Sequence, residues 1–211
     1  MIIVPVTDFP QNSPEWFAAR LGNPGGSGAS NIVTSKGARS ASRDKYLLNL
    51  ALELKTGRSS EGFSSWKMAQ GHVNEQESRN HYEMMHDVDI IEVALCYRDE
   101  RKKYHVSPDG LIPDLKIGFE TKDHSETPSV QWAQYKEPIS STHWIQCQMS
   151  LLVTDYNMWA YQSYCQGMDS FNVDVYPDDK FLKILEKELD EFCQELAFKV
   201  REIKEYKGGA N

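Results

Sequence analysis

Two segments of the chain repeat apolar side chains at helical intervals. In residues 42–55 the apolar positions are three and four residues apart, which predicts an amphipathic helix ended by Gly57. After Pro177 and Asp178 the same spacing predicts a long C-terminal helix, with apolar positions Leu182, Leu185, Leu189, Phe192, Leu196, Val200 and Ile203. Two further helices are predicted over residues 66–85, where Met68, Val73, Tyr82 and Met85 are apolar, and over residues 143–153.

The middle of the chain changes to strand-like segments. Residues 88–97 are rich in β-branched and apolar side chains, and the charged turn RDERKK separates them from residues 104–106, which predicts a hairpin. Further strands are predicted at residues 116–122, 158–164 and 171–175, and the N-terminus predicts a short strand or arm. Helices before and after a central sheet, with one helix crossing it, indicate an α/β or α+β fold.

Composition limits the class of protein. A chain of 211 residues with 40% hydrophobic residues fits one domain with a real core, so we predict a single domain over residues 1–211. No apolar run reaches the roughly 18–20 residues of a membrane span, and the N-terminus lacks the pattern of a signal peptide. The four cysteines are scattered without zinc-site spacing, which favours reduced thiols in the core.

Charge is distributed unevenly. The net charge of −8 argues against binding nucleic acid through the whole surface. Residues 35–58 nevertheless contain six basic and two acidic residues, while the segment from Asp178 onward is acidic. The basic segment fits either a phosphate-binding face or the solvated side of a helix, and composition does not separate the two.

The stretch SPDGLIPDLKIGFETKD, residues 107–123, carries the candidate chemistry. Side chains alternate along a strand, so Glu120 and Lys122 point to the same face. A turn at Gly110 could bring Asp109 towards the beginning of that strand. Two carboxylates of this kind suit Mg²⁺ or Mn²⁺, and an ammonium beside them can orient water and stabilise charge during phosphodiester hydrolysis. A turn followed by an ordinary surface strand is the alternative, because this pattern alone is common.

Four other segments accompany this stretch in a fixed order. They are QNSPEWFAARLG from Gln11, GSGAS from Gly26, MAQGHVNEQESRNHYE from Met68 and HWIQCQMSLLVT from His143. Together with SPDG and ETK, they resemble the family of phage lambda exonuclease and related YqaJ-type viral recombinases, a branch of the PD-(D/E)XK nucleases. The resemblance spans residues 11–154 and implies a restriction-endonuclease-like core, with a central mixed sheet flanked by helices.

The resemblance assigns roles in a metal site. Asp109, Glu120 and the backbone carbonyl of Thr121 would be metal ligands, and Lys122 the catalytic lysine. Glu75 would be a further acidic residue near the metals, although a solvated helix face is the alternative. Gln146 matches the first glutamine of a helical Q-x-Q pattern beside the lysine, and Gln148 matches the second. The implied cofactor is Mg²⁺, with two ions per site and Mn²⁺ as a substitute.

The same resemblance implies a pocket for the 5′-phosphate of a DNA strand. Arg20 in RLG would bind it with hydroxyls of Ser30 and Ser107, since a guanidinium and hydroxyl donors suit a phosphate dianion. A surface salt bridge is the alternative for Arg20. The inserted NPGG segment, residues 23–26, departs from the family pattern and leaves Ser27 and Ser30 as alternatives.

The family implies a 5′-to-3′ exonuclease of double-stranded DNA ends, preferably 5′-phosphorylated. It would release mononucleotides and leave a 3′ single-stranded tail for phage-type recombination. A homotrimeric ring, a single-strand annealing protein as partner, and a cytoplasmic location in a bacterial host, encoded by a phage or prophage, are also implied. Two alternatives stay open: a restriction or repair endonuclease of the same superfamily, and a non-catalytic DNA-binding module.

Overall fold

The structure is a computed structural model that describes residues 1–59 and 65–206, with the side chains of residues 65–74 outside this description. The α-helices are α1 (Pro14–Arg20), α2 (Arg43–Thr56), α3 (Ser65–His86), α4 (Pro128–Gln134), α5 (Ser141–Thr154) and α6 (Asp179–Glu205). The strands are β1 (Ile2–Pro5), β2 (Val93–Tyr97), β3 (His105–Val106), β4 (Gly110–Ile112), β5 (Ile117–Asp123), β6 (Met158–Tyr164) and β7 (Phe171–Val175). Short 3₁₀ helices cover Gly26–Asn31 and Pro113–Leu115.

The predicted helices are present as α2, α3, α5 and α6, each within two residues of its expected bounds. The predicted apolar positions Met68 and Val73 of α3 lie outside the described side chains. Helices α1 and α4 were not predicted, because seven residues are too few to show a clear period. Helix α1 begins at a local signal, since the side chain of Ser13 accepts a hydrogen bond from the backbone N–H of Trp16.

The strands form two sheets where one central sheet was expected. Strands β1, β2 and β3 form an antiparallel sheet, and the predicted hairpin across RDERKK joins β2 to β3. The second sheet has the order β4-β5-β6-β7 and is mixed, with β5 and β6 parallel and the outer pairs antiparallel. A bridge between Ile91 and Leu111 links the segment before β2 to the second sheet.

Helices pack against the mixed sheet. The ring of Tyr82 in α3 packs on Phe119 of β5 at a centroid distance of 4.9 Å. The main core joins Trp159 of β6 with Met149 of α5 and Leu185 of α6. The mixed α/β architecture with flanking helices agrees with the predicted fold class.

The basic segment of residues 35–58 is partly neutralised within the fold. Arg39 forms ion pairs of 2.6–3.3 Å with Glu188, Glu191 and Glu195 of α6. Arg43 is buried and also pairs with Glu188 and Glu195, both at 3.2 Å. Arg43 fits neither explanation considered from the sequence, because it is buried against the acidic C-terminal helix. Arg39 remains solvent-exposed while it pairs with the same helix.

The thiols agree with the prediction from composition. All four cysteines are free, and Cys96, Cys147 and Cys165 are buried. None of the helices in the described part of the chain combines the length and the apolar composition of a membrane span.

Gly118 of β5 lies directly against a side chain of the core. It pairs with Trp159 of β6, and a Cβ at Gly118 would stand 2.1 Å from the indole ring of Trp159. We expect Gly118→Ala to lower the free energy of unfolding by roughly 1–3 kcal/mol in urea titrations, because the buried ring has no space to move. In the Trp159→Leu background the same substitution should have a smaller effect. Equal effects in both backgrounds would contradict this explanation.

Candidate active site

The β4–β5 hairpin brings the two acidic residues of the opening motif together. Gly110 pairs with Phe119, so Asp109 stands beside the following residues of β5. The Oδ2 atom of Asp109 accepts a hydrogen bond of 2.8 Å from the backbone N–H of Thr121. The chain reverses direction at the 3₁₀ helix Pro113–Leu115, whereas the sequence indicated a turn at Gly110. Asp109 therefore lies beside the middle of β5 and not beside its beginning.

Glu120 and Lys122 share one face of β5, as the alternation predicted. Lys122 Nζ lies 2.5 Å from Glu120 Oε1. From α5, the amide Nε2 of Gln146 donates to the same oxygen at 2.6 Å. The three side chains therefore form one polar cluster between β5 and α5.

Helix α3 supports the cluster from the other side of β5. The hydroxyl of Ser78 contacts Thr121 Oγ1 and donates to Gln162 Oε1 of β6, so it ties the helix to two strands. Arg79 donates to the backbone carbonyl of Asp109 at 2.7 Å and pairs with Glu92 at 3.0 Å. Glu75 stands one turn before Arg79 and lines the same cavity as Asp109 and Lys122.

Burial and mutual repulsion set the charges of these carboxyl groups. Burial, followed by the charge of Asp109, raises the pKa of Glu75 to about 8 and that of Glu120 to about 7. Burial also raises the pKa of Asp109. For Lys122, burial acts to lower the pKa, but the charges of Glu120 and Asp109 outweigh it, so the pKa is raised and the ammonium is retained.

The residues at this site suit a divalent cation such as Mg²⁺. Among the described residues, no group of three or more His, Cys, Asp or Glu side chains is arranged as a complete metal site. Asp109, which is partly exposed, and Glu120, which is buried, nevertheless supply two carboxylates, and the hydrogen bonds described above use one oxygen of each. Hard oxygen donors whose ionised forms repel each other are the ligands that Mg²⁺ favours, and a cation would relieve that repulsion.

The predicted phosphate-binding residues line the same cavity as the carboxylates. This cavity has a volume of about 180 Å³, and its walls include Arg20, Ser27, Ser107, Asp109, Glu120, Lys122, Gln146 and Glu75. Of the two alternatives, Ser27 lines the cavity, whereas Ser30 is not among the described residues that do so, because it lies at the far end of the 3₁₀ helix Gly26–Asn31.

Gln148, the second glutamine of the Q-x-Q pattern, has a structural role. It is fully buried, donates to the carbonyl of Tyr176 at 2.7 Å and accepts from the N–H of Asp178 at 3.0 Å. These bonds fix the start of α6, so the two glutamines of α5 serve different parts of the molecule.

Trp16 of α1 orients two residues of the cavity. Its indole N–H lies 3.0 Å from Ser107 Oγ and 3.1 Å from the carbonyl of Ala94, and Ser107 Oγ donates to that carbonyl at 2.7 Å. The guanidinium of Arg20 stacks on the indole ring, with 3.8 Å to the centroid. One buried tryptophan thus positions both an arginine and a hydroxyl.

Several residues of the site were not predicted. The clearest cases are Arg79 and His105. Both lie at regular side-chain intervals from predicted site residues, and these intervals are visible in the sequence. Arg79 is four residues after Glu75 on one face of α3. His105 precedes Ser107 and Asp109 at intervals of two, the period of side chains on one face of an extended segment.

Three comparisons place the chain among known proteins. A family model described as the YqaJ-like viral recombinase domain matches residues 15–157. A sequence search against curated proteins found no match. The fold is similar to that of an alkaline exonuclease from Laribacter hongkongensis, which has also been solved in complex with dAMP. The two chains are 24% identical with a TM-score of 0.79, and the match covers 91% of this chain and 96% of the exonuclease. The fold is also similar to a phage-related exonuclease from Haemophilus somnus, at 12% identity and a TM-score of 0.64, covering 87% and 96%.

The electrostatics of Glu75 lead to a test in metal-free buffer. Folding raises the pKa of the Glu75 carboxyl from 4.5 to about 8. Between these two pH values the carboxyl ionises more readily in the unfolded chain, so it lowers the free energy of unfolding increasingly as the pH rises. Below pH 4.5 it has no such effect. We expect Glu75→Gln in EDTA to match wild type near pH 4.5 and to gain at least about 1 kcal/mol near pH 9, or roughly 2–4 °C in Tm.

A matched control is available on the same helix. Glu77 is exposed on the same helix, so Glu77→Gln is the control for loss of a carboxylate outside the cavity. Thermal unfolding followed by circular dichroism measures both variants. A flat difference between Glu75→Gln and wild type across the window would contradict the assignment of Glu75 to the buried acidic cluster.

Proposed function

The chain belongs to the YqaJ-like viral recombinase family, and from this we propose that it is a metal-dependent deoxyribonuclease of the lambda-exonuclease type. It would act on ends of double-stranded DNA, preferably 5′-phosphorylated, and degrade one strand from 5′ to 3′. The observation that carries the proposal is the joint placement of Asp109, Glu120 and Lys122 in one cavity with Gln146. If the chain lacked these residues, its membership of the family would be equally compatible with a non-catalytic DNA-binding module.

The proposed cofactor is Mg²⁺, held by Asp109, Glu120 and the backbone carbonyl of Thr121, with two ions per site and Mn²⁺ as a substitute. When bound, the metal would polarise the scissile phosphate and lower the pKa of attacking water. The protein supplies the remaining functions. Lys122 keeps its positive charge beside the carboxylates and would stabilise charge on the phosphate. Gln146 holds Glu120 in place, and Glu75 adds an acidic group that can accept a proton.

The proposed binding of the strand uses the other part of the cavity wall. Arg20 and Ser107, both oriented by Trp16, would bind the terminal phosphate, and Ser27 now replaces Ser30 as the hydroxyl that lines the cavity. A guanidinium and hydroxyls suit this dianion because each can donate a hydrogen bond. Such an anchor fixes the end of the strand relative to the metal ligands, which is what an exonuclease requires.

The biological setting is part of the same proposal. We place the protein in the cytoplasm of a bacterial host, encoded by a phage or prophage, as a single domain over residues 1–211 that prepares 3′ tails for a single-strand annealing protein. A homotrimeric ring around DNA also belongs to the proposal. These features are proposed from the resemblance to lambda exonuclease alone.

Substitution of the metal and lysine positions tests the chemistry. With Mg²⁺ and a 5′-phosphorylated linear duplex, Glu120→Ala and Lys122→Ala should each lower the rate at least about 100-fold, since each removes a charge that acts on the transition state. Asp114→Ala is the control, because Asp114 is exposed in the turn of the same hairpin. Release of acid-soluble nucleotides measures the rates. Wild-type rates for Glu120→Ala would remove the basis for the assigned site.

The topology of the substrate separates an exonuclease from an endonuclease of the same fold. We expect covalently closed circular duplex to stay intact under conditions in which the linearised plasmid is degraded, because the proposed anchor binds a strand end. Strands labelled at either terminus report the direction of digestion. Nicking or linearisation of the closed circle would favour a restriction or repair endonuclease.

A further inference from the structure

His105 is a buried polar side chain whose ring nitrogens lack hydrogen-bond partners in the described part of the chain. It lies in β3 and is 2% exposed, and neither imidazole nitrogen has a hydrogen-bond partner among the described residues. Buried polar groups are nearly always paired, so two nitrogens on one ring without partners among the described residues suit a site that a ligand completes. The ring lines the 180 Å³ cavity together with Arg20 and Ser107.

The position of the ring within the cavity narrows the identity of that partner. Three residues, Arg20, Ser27 and His105, line both this cavity and a smaller neighbouring one of about 50 Å³. Asp109, Glu120 and Lys122 line only the larger cavity. His105 therefore stands with the cationic and hydroxyl side chains where the two cavities meet. Glu53 also lines the smaller cavity, and its carboxylate accepts a hydrogen bond of 2.9 Å from the N–H of Gly22. The side chains of Arg20, Ser27 and His105 supply the hydrogen-bond donors that suit a phosphate group.

The backbone around His105 holds the ring in this position. The N–H of His105 donates to the carbonyl of Pro24 at 3.1 Å, and Gly25 forms a bridge with His105. A Cβ at Gly25 would stand 3.0 Å from His105 Nε2. The inserted NPGG segment thus packs its glycine directly against the imidazole, and a larger residue would displace the ring.

We propose that His105 is a ligand of the terminal 5′-phosphate of the DNA strand, donating an N–H to a phosphate oxygen beside Arg20 and Ser27. The proposal rests on the proposed nuclease function for the identity of the phosphate, and it adds a residue that determines specificity for the phosphorylated end. The ring is suited to this role because burial, followed by the charge of Arg20, lowers the pKa of His105 to about 3. The imidazole is therefore neutral near pH 7, with one nitrogen carrying a proton to donate and the other able to accept from water.

Equilibrium binding without turnover is the direct test. Fluorescence anisotropy with Ca²⁺ in place of Mg²⁺ compares a labelled blunt duplex carrying 5′-phosphates with the same duplex carrying 5′-hydroxyls. We expect wild type to prefer the phosphorylated duplex, and His105→Met to lose about 10- to 100-fold of that preference, as a hydrogen bond to a charged group implies. Affinity for the hydroxyl duplex should stay within about twofold of wild type.

Amide replacements distinguish a ligand from a packing role. The Nε2 of glutamine can stand for Nε2 of histidine, and the Nδ2 of asparagine for Nδ1, so at least one of His105→Gln and His105→Asn should retain most of the preference. Tyr97→Phe is the control, because Tyr97 lies 6.3 Å from His105 between ring centroids but outside the cavity wall. Equal loss of affinity for both duplexes in His105→Met, or loss in all three variants at unchanged Tm, would overturn the proposal.

Two further measurements keep the outcome decisive. If His105→Met does not fold, the Gly25→Ala variant is measured in its place. The added methyl group should displace the imidazole ring and reduce the preference for the phosphorylated duplex. An unchanged preference would count against the proposal. Wild type that binds both duplexes equally would also overturn it. DNA degradation with Mg²⁺ is measured separately, so an inactive wild type that still discriminates between the ends would contradict the nuclease and not the role of His105.

Discussion

The pairing of the Asp109 and Glu120 carboxylates across the β4–β5 hairpin is the constraint on which the site depends. Asp109 is fixed by the N–H of Thr121, the residue that follows Glu120, so the hairpin register alone keeps the two acids side by side. Their ionised forms repel each other, and burial strengthens the repulsion. The fold compensates with Lys122 and Gln146, which both bind the same oxygen of Glu120.

The elements around the hairpin hold the two carboxylates in place. Helix α3 carries Ser78 and Arg79, which bind the side chain of Thr121 and the backbone of Asp109 and so support the carboxylates from behind. Helix α5 divides its polar residues between the site, through Gln146, and the start of α6, through Gln148. Trp16 then connects the antiparallel sheet to the cavity by holding Arg20 and Ser107. A few buried polar residues therefore link both sheets to one cavity.

Local patterns predicted those parts of the molecule whose cause is local. The period of α2 and α6, the hairpin at RDERKK and the shared face of Glu120 and Lys122 depend on neighbouring residues, and the structure agrees with each. Helix α1 was too short to show a period. The location of the hairpin turn was misjudged because Gly110 is a common turn residue, yet here it pairs with Phe119 as part of β4.

By itself, the sequence determined the types of element, the mixed α/β class and the presence of two acids and a lysine at strand spacing, because these depend on side-chain periodicity and local conformational preference. Only the tertiary structure decided which residues share the cavity. Ser27, at the beginning of the 3₁₀ helix Gly26–Asn31, lines it, whereas Ser30 at the far end does not, and His105 joins it because β3 lies against Gly25. It also decided that Arg39 and Arg43 bind α6, since charges about 150 residues apart in the chain meet only when the helices pack.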